Sequence, residues 1–348
     1  MIYDYIVIGS GFGGSVASLR LVEKGYKVLT IEQGKRYNPS DFPKTNWNLP
    51  KYLWVPSIRF FGFQKLSFYT TASILSGTGV GGGSLVYANT LYIPKDAFFS
   101  NSSWACFGNW KKILEPFYTR ASFMLGRKKY AKLNVEDLAL EAVSKEMNAH
   151  DTFETVYVGV NLDGGEEECD PYFGGLGPMR KKCTECGGCM VGCRENAKNT
   201  LDRNYLWFAE KLGLEIIPET KKVPAYIPVG QEVMERYAKK VQGVAQNILL
   251  EVFFNRPTTA HILGGCPMSE SGETGVVDEN LKAHGYPDFY IMDGSVIQGN
   301  IGVNPALTIT ALSEYAMSKI PGKEDNVTTD ISKQLLVLEN EWKKKRSD

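Results

Sequence analysis

Residues 4–32 read DYIVIGSGFGGSVASLRLVEKGYKVLTIE, and this stretch decides the fold class. Asp4–Ile8 and Lys27–Ile31 are short, mostly apolar runs that predict buried strands, and Ser15–Lys24 between them has apolar residues at helical spacing. A strand, a glycine turn, a helix and a second strand form the unit that begins a parallel sheet. The sequence therefore predicts an α/β fold built on a Rossmann-like parallel sheet.

The turn between the first strand and the helix has the spacing GxGxxG, which is typical of a dinucleotide site. Gly9 allows the sharp turn, Gly11 lets the backbone approach a pyrophosphate, and Gly14 lets the helix pack closely on the strand. The spacing does not distinguish FAD from NAD. The predicted cofactor contacts in this turn are Gly9, Gly11, Phe12, Gly13 and Gly14. Glu32, at the end of the second strand, is predicted to bind the ribose hydroxyls.

A second glycine cluster, GTGVGGGSLVYAN, occupies Gly77–Asn89. It contains too many glycines for the interior of a stable helix or strand. Such a loop allows the backbone to pass within contact distance of a flat ring or a phosphate. We therefore expect it to lie beside the same cofactor.

The C-terminal third contains a further candidate site, between His261 and Leu312. Glycine turns alternate there with a short apolar strand expected at Phe289–Met292 and a helix that begins at Pro305. A strand, a turn and a helix start form a usual place for backbone N–H groups to meet an anionic cofactor. Asn304 directly precedes a proline and is pushed towards an extended conformation, so its amide can donate to and accept from a ligand at the helix entrance.

Five motifs in this order resemble the glucose–methanol–choline (GMC) flavoprotein oxidoreductases, and look most like their cholesterol-oxidase-like branch. The motifs are GSGFGG at 9–14, GVGGGSLVYAN at 79–89, HILGGC at 261–266, MDGS at 292–295 and GVNPALTITAL at 302–312. The resemblance covers roughly the first 220 and last 90 residues, and several independent motifs are far more specific than one short fingerprint.

The resemblance implies an FAD-dependent enzyme that oxidises the CH–OH group of an alcohol or sterol-like substrate by hydride transfer to the flavin. In that family the positions matching His261 and Asn304 flank the reactive flavin edge, with the histidine accepting the hydroxyl proton and the asparagine holding the oxygen. The other flavin contacts that the motifs imply are Gly79, Val80, Gly82, Gly83, Ser84, Asp293, Gly294, Asn304 and Pro305.

The middle of the chain departs from the family pattern. After a strand predicted at Leu214–Ile217, family members insert a substrate-side sheet, whereas this chain continues into helical stretches at 230–241 and 246–255. About 100 residues or more, the size of a domain, have no counterpart here. We expect a discontinuous FAD-binding domain at 1–222 and 255–323, a remnant of the substrate-binding region at 223–254 and a C-terminal tail helix at 324–348.

This shortening leaves other functions open. A sheet without its returning strand presents unpaired backbone groups, which favours self-association or pairing with a partner chain. The alternatives to a complete alcohol-oxidising enzyme are a weakly active or partner-dependent flavoprotein and an electron-transfer subunit that uses a cysteine-ligated cluster.

Four of the seven cysteines lie in the run CTECGGCMVGC at 183–193. Cys183, Cys186, Cys189 and Cys193 have the C-x2-C-x2-C-x3-C spacing of bacterial ferredoxins, without the proline that usually follows. We favour free thiols in a glycine-rich turn, because the block that continues through AKNTLDRNYL at 197–206 is also found in family members that are not iron–sulfur proteins. An iron–sulfur cluster and a zinc site are the alternatives.

The amino-acid composition argues against nucleic-acid binding and against a secreted disulfide-rich protein. Lys and Arg number 39, as do Asp and Glu, so there is no net positive charge to attract nucleic acid, and a small neutral or weakly charged substrate fits better. The N-terminus shows neither a signal peptide nor a membrane span, and the uneven cysteines do not form a secreted disulfide framework. We expect a cytoplasmic protein without a transmembrane segment.

The remaining segments predict structure that covers the core. Lys35–Tyr69 is rich in aromatic residues and predicts a packed cover over the cofactor, with an apolar patch for a membrane or a lipid-like substrate as the alternative. Helices are expected near Pro116, at Glu136–Met147 with Leu138, Leu140 and Val143 facing inward, at Asn199–Leu212 and at Ser332–Lys343, and a strand at Thr155–Val160.

Overall fold

The computed structural model describes residues 2–68, 73–163, 167–218, 258–323 and 329–347. The helices expected at 230–241 and 246–255 lie outside these ranges, as does the remnant of a substrate-binding region expected at 223–254. The described residues form an α/β structure in which a parallel sheet carries the first glycine turn.

The regular elements are short and are spread along the described chain. The strands are β1 (Tyr5–Ile8), β2 (Val28–Glu32), β3 (Trp54–Val55), β4 (Phe60–Phe61), β5 (Gln64–Phe68), β6 (Ser73–Gly77), β7 (Lys128–Lys129), β8 (Tyr157–Val158), β9 (Glu215–Pro218) and β10 (Thr258–Thr259). The helices are α1 (Phe12–Glu23), α2 (Leu49–Tyr52), α3 (Asp96–Phe99), α4 (Trp110–Met124), α5 (Val135–Glu146), α6 (Tyr205–Lys211), α7 (Ala306–Lys319) and α8 (Asp330–Ser347).

The first sheet has the strand order β1-β2-β9, and all of its pairs are parallel. β1 and β2 flank α1, which begins immediately after Gly11 and buries Val16 and Leu19 completely. β9 comes from a distant part of the chain and places Leu29 of β2 opposite Glu215. The predicted α/β fold with a Rossmann-like parallel sheet is confirmed, and the strand predicted at Leu214–Ile217 is shifted by one residue.

The two ends of the chain meet at a buried ion pair. α7 is almost completely buried and packs against α1 and α4. Arg20 of α1 donates two hydrogen bonds to Glu314 of α7, at 2.8 and 2.7 Å, and Tyr205 donates its hydroxyl to the same carboxylate at 2.7 Å. Burial alone would raise the pKa of Glu314, but the charge and hydrogen bonds of Arg20 outweigh it and lower that pKa. The predicted discontinuity of the fold in sequence is therefore confirmed.

The aromatic segment forms a layer beside the second glycine cluster. β5 pairs with β6, which leads directly into that cluster, and β10 extends the same sheet through a parallel pairing with β6. Tyr37, Phe42 and Phe63 are buried and make edge-to-face and stacked contacts with one another. They pack on Leu85 and Val86 of the glycine cluster. The segment is thus a packed layer, as expected, although Trp47 remains 86% exposed.

Several predicted elements have different bounds. The helix expected near Pro116 is α4, which begins at Trp110 and contains the proline in its interior. The strand expected at Phe289–Met292 is reduced to a single bridge between Tyr290 and Lys282. The strand expected at 155–160 is shortened to β8. The helix expected at 199–212 is divided into the 3-10 helix Leu201–Arg203 and α6. The helix expected at 332–343 is the longer α8.

The prediction that the apolar side chains of α5 face inward is wrong. The helix itself forms, but Leu138, Leu140 and Val143 are 51%, 61% and 45% exposed, and no residue of the helix is buried. Leu138 and Leu140 are two positions apart, which places them on opposite sides of a helix with 3.6 residues per turn. They could not both face one core, so the spacing argued against the prediction.

Four isoleucines on one side of the parallel sheet are exposed. Ile6, Ile8, Ile31 and Ile217 are 60%, 83%, 38% and 45% exposed, and we call these four residues the isoleucine face. Parallel sheets normally have both faces covered by other elements.

Within the part of the chain that the structure describes, no helix is long and apolar enough to cross a membrane.

We expect Glu314→Gln to lower the free energy of unfolding by about 1.5–3 kcal/mol, because Arg20 loses its charged hydrogen-bond acceptor on α7 and keeps only Glu23, at 2.6 Å, as a counter-charge. Urea unfolding measures this. The loss should be full above the ordinary carboxyl pKa of about 4.3 and shrink as the pH falls through the lowered pKa of Glu314.

Lys111→Ala is the control for this change, because Lys111 pairs with Asp96 at 2.6 Å while both side chains are largely exposed. Its effect should be close to zero. An equal loss in the two variants would contradict the importance of the buried pair.

Candidate functional site

The two predicted glycine loops lie directly against each other. A Cβ atom on Gly82 would stand 2.6 Å from the Cα atom of Gly11, and one on Gly34 would stand 2.4 Å from the amide nitrogen of Gly79. The backbone N–H of Gly81 donates to the hydroxyl of Ser10 at 3.0 Å. Glycine is required at these positions because two stretches of backbone approach more closely than side chains permit.

Glu32 joins these loops to the end of β2. Its buried carboxylate accepts hydrogen bonds from the backbone and hydroxyl of Ser10 at 3.1 and 2.7 Å, from Gly34 N–H at 3.0 Å and from Gly79 N–H at 3.2 Å. The sequence predicted a contact with ribose hydroxyls at this position, and that contact stays a prediction. What the structure adds is a positioning role, since one carboxylate connects the first glycine turn to the second glycine loop.

The first turn is tightly packed at some glycines and open at others. Gly9 has a φ of 90°, which supports its predicted role in the sharp turn. A Cβ atom on Gly13 would stand 1.6 Å from the carbonyl oxygen of Met292, and one on Gly14 would stand 1.9 Å from the carbonyl oxygen of Gly9. No atom lies within 4 Å of a Cβ atom on Gly11. The backbone therefore leaves free space at Gly11, where the sequence predicts a pyrophosphate.

Polar groups beside the second loop also leave room for a ligand. The buried atoms Thr78 Oγ1 and Asp202 Oδ1 have no hydrogen-bond partner, and the second lies 3.5 Å from the Cβ position of Gly81. Buried polar atoms normally have a partner. Phe12 packs edge-to-face on Tyr87 and lies over Gly83, which places aromatic surface next to this space. The predicted contacts Val80 and Ser84 are buried in the same loop.

The C-terminal motifs lie against the first turn. Asp293 caps the 3-10 helix Gly294–Val296 by accepting from Ser295 N–H at 2.9 Å. A Cβ atom on Gly294 would stand 2.4 Å from the carbonyl oxygen of Ile262. Asp293 and Gly294 therefore lie next to the loop that carries His261, and Pro305 stands at the start of α7.

The two predicted catalytic side chains meet, although 43 positions separate them in sequence. Asn304 Nδ2 lies 3.3 Å from His261 Nε2. His261 follows β10 and is thereby tied to the sheet of the second glycine loop, whereas Asn304 lies just before α7. His261 is exposed, but the partial burial of its ring lowers the pKa of the imidazole, so the neutral form predominates at pH 7.

The cysteines of the run 183–193 are free thiols. Among the described residues, no group of three or more His, Cys, Asp or Glu side chains is arranged to hold a metal ion. The iron–sulfur and zinc alternatives thus gain no support from this part of the chain. Cys183, Cys186, Cys189 and Cys193 nevertheless line one small cavity.

Sequence reasoning missed Lys198, which connects the cysteine run to the second glycine loop. Its fully buried ammonium donates to the carbonyl oxygens of Leu85 at 3.0 Å, Tyr87 at 3.2 Å and Cys189 at 2.8 Å. Burial lowers the pKa of Lys198 to about 8. The stretch AKNTLDRNYL was recognised as a family feature, but a single lysine in a polar run gives no local signal of burial.

We expect Gly13→Ala to lower the free energy of unfolding by about 1–3 kcal/mol or more, since the added methyl group would collide with the backbone of Met292. Gly11→Ala should leave stability nearly unchanged, because Gly11 has a φ of −71° and open space in front of it. Thermal unfolding of both variants compares them. A large loss in Gly11→Ala would show that this space is filled by the protein itself.

Comparison with known proteins shows what the chain is similar to. The GMC oxidoreductase family matches residues 219–313, a range that starts directly after β9. The cholesterol oxidase of Acinetobacter baumannii is 28% identical over 526 aligned positions, which span 92% of this chain and 95% of that protein. The cholesterol oxidase of Mycobacterium tuberculosis is 29% identical over 529 positions, spanning 92% of this chain and 91% of that protein.

The alignment with the first relative contains more positions than the 348 residues of this chain, so that relative carries sequence without a counterpart here. A formate oxidase crystal structure is 12% identical, with a TM-score of 0.48 over 91% of this chain and 97% of that one. Over most of its length the chain is similar to the cholesterol oxidases, and residues 219–313 match the GMC oxidoreductase family model.

Proposed function

We propose that this chain binds FAD and oxidises the CH–OH group of an alcohol or sterol-like substrate. The observation that carries the proposal is the 3.3 Å contact between His261 and Asn304, two side chains brought together from distant segments. The names of the cholesterol oxidase relatives support the substrate class. The division into a domain at 1–222 and 255–323 and a tail at 324–348 remains part of this proposal.

The residues that would hold FAD are those around the open space at Gly11. Gly9–Gly14 would take the pyrophosphate on the backbone at the start of α1, where N–H groups favour an anion. Gly79, Val80, Gly82, Gly83 and Ser84 would lie along the cofactor, and Asp293, Gly294 and Pro305 would contact it from the C-terminal segment. When bound, FAD supplies the acceptor for the hydride.

His261 and Asn304 would handle the substrate oxygen. His261 Nε2, neutral at pH 7 because its pKa is lowered, would accept the hydroxyl proton. Asn304 Nδ2 would donate to the same oxygen and hold it in place. The two nitrogens are 3.3 Å apart, which is close enough for one substrate oxygen to form a hydrogen bond with each of them. These two hydrogen bonds would replace the one between the side chains.

A second candidate function follows from the isoleucine face. Ile6, Ile8, Ile31 and Ile217 are exposed on a parallel sheet, and the aligned cholesterol oxidase contains sequence that this chain lacks. Exposed apolar surface of this kind marks an interaction site. We infer a flavoprotein that associates with a second copy of itself through this face and is weakly active or inactive alone.

We expect His261→Ala to reduce alcohol-dependent flavin reduction by ~10²-fold or more while FAD stays bound, because the variant loses only its proton acceptor. Anaerobic flavin bleaching with a panel of alcohols and sterols measures this. In the parent protein the rate should rise with pH through an inflection below about 6.5, the ordinary histidine value.

His150→Ala is the control for the histidine substitution, since His150 lies beside Glu141 near the end of α5. It should bleach the flavin at the parental rate. Protein that shows no flavin absorbance and gains none when FAD is added would contradict the proposed function.

We expect sedimentation coefficients to rise with protein concentration, and Ile6→Lys to shift the distribution towards the monomer by placing a charge on the isoleucine face. Val135→Lys is the matched control, because Val135 is 79% exposed on α5, outside that face. Turnover is measured on the same samples. A concentration-independent monomer that oxidises alcohols rapidly would refute the inference of association and weak activity.

A further inference from the structure

The four cysteines of the run 183–193 surround a cavity of about 30 Å³. The backbone beside this cavity turns sharply. Two non-glycine residues, Glu185 and Asn196, adopt the left-handed conformation there, with φ values of 57° and 54°. Cys186 is exposed and the other three thiols are partly accessible. A small solute can therefore reach a cavity that all four cysteines line.

Two backbone N–H groups surround the sulfur of Cys193. Its sulfur accepts hydrogen bonds from the backbone N–H groups of Ala197 and Lys198, both at 3.3 Å. The left-handed turn at Asn196 directs these two groups back towards the sulfur. The Lys198 ammonium, held on the Cys189 carbonyl, interacts with the thiols of Cys189 and Cys193. N–H donors and a nearby cation stabilise the thiolate, which is the reactive form of cysteine.

The neighbouring thiols have a different environment. Burial raises the pKa of Cys183 and Cys189, and it outweighs the Glu185 N–H group, which lowers the pKa of Cys183, and the Lys198 ammonium, which lowers the pKa of Cys189. Cys183 accepts from Glu185 N–H, and Cys189 accepts weakly from the Asn89 amide at 4.0 Å. These two thiols therefore remain protonated next to a sulfur that accepts two backbone N–H groups. One reactive thiol next to a second thiol is the arrangement found in redox-sensitive cysteine sites.

We propose that Cys193 and one of the other three cysteines form a reversible disulfide when the protein meets hydrogen peroxide. The Cys193 thiolate attacks one peroxide oxygen, the O–O bond breaks, and the products are a sulfenic acid and hydroxide, which takes a proton to become water. A neighbouring thiol then attacks the sulfenic sulfur, the S–O bond breaks and a second water leaves with the thiol proton. Two thiols are oxidised, and the two electrons reduce one peroxide to water.

The experiment exposes the purified full chain to hydrogen peroxide, alkylates the remaining thiols and analyses the tryptic peptides by mass spectrometry. Cleavage after Lys182 and Arg194 places all four cysteines in one peptide, residues 183–194. We expect this peptide to lose two hydrogens, with fragmentation that assigns Cys193 to the disulfide, and to regain both on treatment with dithiothreitol. Cys193→Ser should abolish the disulfide and leave the other three thiols open to alkylation.

Cys106→Ser is the matched control, because Cys106 is exposed and lies outside the run. This variant should form the disulfide like the parent. Because the disulfide is also mapped in the parent chain, the proposal is tested even if Cys193→Ser does not fold. It is overturned if peroxide oxidises Cys106 alone, if the disulfide excludes Cys193, if oxidation stops at sulfenic or sulfinic acid, or if metal analysis finds a bound metal that protects the run.

Discussion

The buried carboxylate of Glu32 is the interaction on which the arrangement of the candidate site depends. A buried carboxylate is stable only when donors replace the water that it has lost. Here the donors come from the first glycine turn, from the turn after β2 and from the second glycine loop. If any of these segments moved, the carboxylate would lose a hydrogen bond. A single acidic side chain thus holds together the backbone at Ser10 and at Gly79, which are 69 positions apart in sequence.

Glycine completes this arrangement by allowing backbone to contact backbone. Gly82 lies against Gly11, and Gly13 lies against the carbonyl oxygen of Met292. The first contact joins the two N-terminal loops, and the second joins them to the C-terminal segment that leads to α7. The pair Arg20 and Glu314 connects the same two regions on the helix side. These contacts therefore help to fix the position of His261 relative to Asn304.

The parts of this structure that sequence predicted well are those with a strong local signal. The unit β1-α1-β2 has apolar periodicity, and its glycine turn has a recognisable spacing. The meeting of His261 and Asn304 was different, because no local pattern relates two residues 43 positions apart, and the expectation depended on the family resemblance.

The features that sequence reasoning missed depend on tertiary contacts. Nothing in the run around Lys198 indicates that its ammonium is buried on three carbonyl oxygens. The sequence predicted that the carboxylate of Glu32 would bind ribose hydroxyls. Its hydrogen-bond donors in the protein come from turns whose closeness to Glu32 could not be inferred from the sequence. At Phe289–Met292 the apolar run reads as a strand, but only Tyr290 finds a bridging partner.

The strand order β1-β2-β9 has a consequence for how the protein folds. β9 is separated from β2 by more than 180 residues, and α7 packs on α1 only when almost the whole chain has been made. Contacts between distant residues form slowly, because a long loop must close before they contribute any stability. During synthesis β1, α1 and β2 therefore emerge long before β9, which pairs with β2, and α7, which packs on α1. Until then their apolar surface is open to aggregation, the hazard against which cells maintain chaperones.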